Sequence, residues 1–174
     1  MPRIEAHGLT ADAPSGWDAQ IYVRDPLPPD AVVQRPAGPA GPGAPGAPSA
    51  VAPVGEQTFP ICHLANFPLP ANRADYGGGA VELMESGGVF IAVIEYEPEA
   101  ATSSQFAHPI PWPLTPDDFD PQQMQRTLPG QAGCQRFFTT GGRAFCLYVV
   151  IGSYRSRAML TKVVNSALAS FTIS

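Results

Sequence analysis

Lysine is almost absent from this sequence: Lys162 stands alone beside nine arginines. Charged residues of both signs make up only 14% of the chain, against 44% hydrophobic residues. So little charge beside so much apolar material excludes a disordered polyelectrolyte and describes a globular chain. No apolar run reaches the roughly 18 residues that a membrane-spanning helix needs. The opening stretch, Met1-Pro2-Arg3-Ile4-Glu5-Ala6-His7, lacks the apolar core of a secretory signal. These absences lead to the expectation of a cytoplasmic protein with no direct membrane insertion. No RNP, zinc-finger or helix-turn-helix pattern occurs and the net charge is −5, so nucleic acid is not an expected partner.

The signatures of chemistry are missing too. The three cysteines, Cys62, Cys134 and Cys146, show no C-x-x-C spacing, and each falls in an apparent strand. They read as small core hydrophobes in a reducing compartment. His7, His63 and His108 are scattered, with no second ligand nearby in sequence; His63 reads as a core or edge residue. Gly77-Gly78-Gly79 matches neither the Walker pattern nor G-x-G-x-x-G, and the G-x-S-x-G elbow is absent around Ser153. No catalytic residue, cofactor or metal is expected.

What is present is concentrated near the end of the chain. Two aromatic and β-branched runs flank Gly141-Gly142, which predicts a β-hairpin over 133–151 turning at 139–142. Met159, Leu160, Val163, Val164, Ala167, Leu168 and Phe171 then recur at helical spacing. They predict a helix from 157 to about 170 that buries Leu160, Val164 and Leu168 on that hairpin. The expected class is therefore α+β, an antiparallel sheet flanked by helices with a C-terminal amphipathic helix packed on the late hairpin.

Earlier in the chain, residues 3–13 read as a short strand pair bent at His7-Gly8, and Asp18 to Arg24 as a strand. Val89 to Tyr96 is apolar on both faces and reads as a central strand. Pro60 places its segment at a sheet edge or a strand start. Ala80 to Glu85 reads as a short helix, while Thr115-Pro116 and Asp120-Pro121 are helix starts of a turn or two. Residues 26–57 are rich in Pro, Gly and Ala with little to bury, and are expected to be a flexible loop inserted into one domain spanning 1–174.

Charge is divided along the chain. Residues 1–120 hold all 15 acids and Arg3, Arg24, Arg35 and Arg73; residues 121–174 hold five arginines, Lys162 and no acid. Pairing between the two parts is expected for at least two arginines, Arg136 and Arg143 foremost. Arg155 and Arg157 open the final helix, where the dipole disfavours positive charge. They are the candidate partner-binding residues, suited to an acidic protein. Glu95, Glu97 and Glu99 read as one solvated face. An alternative function, an enzyme of unrecognised type, would place its site in the 101–133 region with His108, or with Asp117 and Asp118.

Pro14-Ser15-Gly16-Trp17 after an N-terminal strand, the late hairpin and the terminal amphipathic helix together resemble the PsbP-like superfamily. Within it the chain looks most like the actinobacterial LpqN-type proteins, through that turn and the block from Gly133-Cys134 to Arg143-Ala144-Phe145-Cys146-Leu147-Tyr148. The long Pro/Gly/Ala insertion and the lack of a lipid-bearing N-terminal Cys depart from that pattern. The resemblance implies a non-catalytic binding module, an accessory subunit or chaperone with a protein partner, and supplies no functional residue to carry over.

Overall fold

The computed structural model describes residues 2–24 and 58–174. The expected 26–57 loop lies outside the described residues. Met1–Val23 and Phe59–Ser174 form one compact unit, and no helix among the described residues is long and apolar enough to cross a membrane.

The chain opens with β1 (Arg3–Ala6) and β2 (Leu9–Asp12). They pair antiparallel through a two-residue turn in which His7 and Gly8 both have positive φ, 52° and 76°. That is the mirror-image turn whose twist suits a hairpin. Next come β3 (Asp18–Val23), β4 (Pro60–Ala65) and β5 (Val89–Glu95). The long pair β6 (Ala132–Thr140) and β7 (Arg143–Ile151) follows, then α1 (Arg157–Leu168) and the two-residue β8 (Thr172–Ile173). One antiparallel sheet has the order β3-β4-β5-β7-β6, the other β1-β2-β8. The α+β class, the late hairpin and the C-terminal helix of the sequence reading are all present. Pro60 takes the strand-start alternative: β4 is an interior strand, and Pro60 is its first residue, opposite Val23.

Alternation along the strands divides the five-stranded sheet into two buried faces. Ile91 and Val93 of β5, Leu147 and Val149 of β7, and Cys62 of β4 lie in register on one face. There they pack with Leu160, Val164, Ala167 and Leu168 of α1 and with Leu9 and Ala11 of β2. The opposite face carries Ile61, Phe90, Ala92, Cys146, Tyr148 and Val150, and meets loop residues including Leu69, Val81, Met84 and Met124. Three layers result, with β5 and β7 covered on both sides. That is why Val89 to Ile94 reads as one unbroken apolar run.

The helix expected over 80–85 shrinks to a single 3-10 turn at Val81–Leu83. Pro116–Asp118 and Pro121–Gln123 are likewise 3-10 turns. Asp118 Oδ2 accepts the Thr115 N–H, and Asp120 Oδ1 accepts that of Gln122. This segment covers the outer edge of β6. Asp120 and Gly133 exchange backbone hydrogen bonds of 2.9 and 3.0 Å, and Thr139 N–H donates to the His108 carbonyl at 3.0 Å.

Candidate functional site

Arg136 and Arg143 rise from the hairpin and take carboxylates from earlier in the chain, as their strand positions lead one to expect. Arg136 Nη2 donates to Asp118 Oδ1 at 2.7 Å, and Arg143 donates to both oxygens of Glu95 at 2.9 and 2.7 Å. This corrects the expectation that Glu95 shares a solvated face with Glu97 and Glu99. Glu95 is the last residue of β5 and is held by Arg143, whereas Glu97 and Glu99 have left the strand for a 3-10 turn. A guanidinium two residues beyond the cross-strand partner is within reach of Glu95, and it replaces water as the carboxylate's ligand.

Arg155 and Arg157 differ. The turn at 153–156 leads into α1 with Ser156 at its N-cap, and no acid stands in the first helical turn. Arg157 Nη1 donates to the Tyr154 carbonyl at 3.2 Å, and its guanidinium lies 4.3 Å over the Tyr154 ring. Arg155 is exposed. Among the described residues, no carboxylate pairs with either arginine. Tyr154 and Met159 are exposed beside them at 37% and 58%. Arg155, in the turn before α1, and Met159 and Lys162, on α1, are all exposed. The start of α1 and the turn before it thus carry exposed basic and apolar side chains, and cation–π contact holds the Arg157 guanidinium in place.

The 101–133 region brings no acid–base pair together. Asp118 is occupied by Arg136 and Thr115; these bonds hold its carboxyl below the ordinary value, against the opposing effect of burial. His108 and Asp117 are exposed, and among the described residues no hydrogen bond joins them to each other or to Asp118. His63, by contrast, is fully buried in β4. Its Nε2 meets the Asp75 carbonyl at 2.7 Å and its Nδ1 accepts from Arg73 Nε at 2.7 Å. Those partners fix the tautomer with the proton on Nε2. Burial, with the Arg73 charge in support and the Asp75 bond in opposition, lowers its pKa to about 4. Arg73 also reaches Gln20 Oε1 at 2.5 Å and Tyr22 OH donates to Asp75 Oδ1 at 3.2 Å. The cluster pins the loop after β4 onto the sheet. Its partners are spread over three segments, so the sequence offered no periodic signal for it.

The three cysteines are buried, and burial raises their pKa values to about 12, 12 and 11 for Cys62, Cys134 and Cys146. They are inert core residues. Among the described residues no group of three potential ligands could hold a metal ion. A cavity of about 240 Å³ opens on the loop-covered face of the five-stranded sheet, lined in part by Tyr76, Val81, Glu82, Met124, Arg126 and Tyr148. A shallower groove of about 360 Å³ runs between β1 and β3, past Ile4 and Ile21. Comparison with known proteins finds no matching family model, no similar curated protein and no similar solved structure.

Proposed function

We propose that the chain is a non-catalytic binding module, an accessory subunit or chaperone-like component of a cytoplasmic assembly. It meets an acidic protein surface through the start of α1. The observation that carries this reading is the contrast among the arginines: Arg136 and Arg143 hold carboxylates, while Arg155 and Arg157 have none among the described residues. Two cations at a helix N-terminus are opposed by the dipole and by each other. A partner carboxylate would relieve both. Tyr154 and Met159 supply apolar contact beside the charge, and Tyr, Met and Arg are enriched at interface cores. The resemblance to the PsbP-like superfamily points the same way.

The test is co-purification of the full chain from extract of its native host. The wild type should retain an acidic protein at low salt and release it as ionic strength rises, because exposed charge is screened within about 8–10 Å. Arg155→Glu with Arg157→Glu should lose that protein, while Arg3→Glu should keep it. Equal recovery by the charge-reversed form would remove the assignment.

A further inference from the structure

The cavity of about 240 Å³ is smaller than the roughly 300–1,000 Å³ of drug-sized sites, yet it is chemically furnished. The rings of Tyr76 and Tyr148 meet edge to face, centroids 5.2 Å apart. With Val81 and Met124 they give it an apolar wall. Tyr148 is 1% exposed. Its hydroxyl accepts the Gln125 N–H at 2.9 Å, and among the described residues its own proton finds no acceptor. Burial raises its pKa, so that proton stays on the oxygen at neutral pH. Two opposite charges line the same cavity, Glu82 and Arg126, both exposed. They do not pair with each other, and among the described residues Arg126 has no carboxylate partner. Glu82 takes one neutral donor, the Gly79 N–H, on Oε2 at 2.7 Å.

We propose that this cavity binds a small zwitterion, an α-amino acid with an apolar side chain. The carboxylate takes Arg126 and the Tyr148 hydroxyl, the ammonium takes Glu82, and the side chain lies against Tyr76, Val81 and Met124. A purely apolar ligand would leave the buried Tyr148 proton unsatisfied. A dianion would be repelled by Glu82. The volume admits one side chain of moderate size. The site is separate from the start of α1 and does not depend on what binds there.

Methyl-selective NMR of the full chain tests this, because Met124 lines the cavity and Met159 lies exposed on α1. Leucine and phenylalanine should move the Met124 methyl and leave that of Met159 in place. Isocaproate and hydrocinnamate, which lack the ammonium, should bind about tenfold more weakly or worse. Arg126→Ala and Glu82→Gln, both at exposed positions that keep the core intact, should each weaken leucine binding to a similar extent. The proposal is overturned if Met124 stays unmoved by every compound at millimolar concentration. It is also overturned if the des-amino analogues bind as tightly as the amino acids, or if Arg126→Ala binds leucine like the wild type.

Discussion

Arg143 and Glu95, 48 residues apart in sequence, form a two-bonded ion pair at the end of the β5–β7 ladder. The same guanidinium reaches the carbonyls of Ser174 and His7 at 2.7 and 2.9 Å. One side chain therefore ties the five-stranded sheet to the β1–β2 turn and to the strand end beyond β8. Arg143→Met should cost about 2–3 kcal/mol, since hydrogen bonds to charged groups are lost. Combined with Glu95→Gln in a double-mutant cycle, it should show a coupling of about 1 kcal/mol. Denaturant midpoints of the four proteins measure both quantities, and additive losses would show that the pair contributes no coupling.

Leu160 faces the sheet from the first half of α1 at 1% exposure. Leu160→Ala should lower stability by about 2–5 kcal/mol through lost burial and the cavity left behind. A near-neutral thermal shift would mean that Leu160 does not hold α1 against the five-stranded sheet.

Gly152, directly after β7, donates its N–H to the Gly88 carbonyl at 2.9 Å. A Cβ at this position would stand 1.9 Å from the Glu85 carbonyl oxygen. That oxygen is backbone and cannot swing aside. Gly152→Ala should destabilise by about 1–3 kcal/mol, as overpacking does, with the loss read from the denaturant midpoint.

His63 gives the fold an acid sensitivity. Its pKa falls from 6.5 in the unfolded chain to about 4 in the folded one, so between those values the unfolded state binds more protons. Stability from this group is complete above the unfolded value. It declines as pH drops from 6.5 toward 4, by at most about 1.4 kcal/mol per pH unit. His63→Gln should be less stable than the wild type near neutrality, with the difference narrowing as the pH falls through that window. A constant difference from pH 7 to 4 would show that His63 does not titrate this way.

Cys62, Cys134 and Cys146 should resist thiol reagents in the native state, because burial both hides them and suppresses the thiolate. Labelling should track unfolding, rising steeply only where denaturant begins to open the fold. Rapid labelling of any one cysteine under native conditions would place it in a locally opening segment.

The hairpin and α1 were legible because each local cue agrees with its neighbours. Gly141 and Gly142 adopt the positive φ values, 58° and 77°, that the turn demands, and the apolar period of α1 continues unbroken to Leu168. The cover on the other face of the sheet was not legible. Leu69, Val81, Met84 and Met124 come from irregular segments, where no period marks an inward side chain. Strand β8 is two residues long, too short for alternation to register. The Arg136 and Arg143 pairs could be anticipated from charge and strand position. The joining of Tyr76, Glu82, Arg126 and Tyr148 around one cavity could not, because it depends on how two long connections, β4 to β5 and β5 to β6, settle against β7.

The small sheet pairs Leu9 of β2 with Ile173 of β8. During synthesis the hairpin of β1 and β2 must wait, its outer edge unmatched, until Thr172 and Ile173 have left the ribosome. Closing so long a separation is a slow, late step. Nascent chains arrested before residue 172 should therefore expose that edge to chaperones, however complete the five-stranded sheet has become.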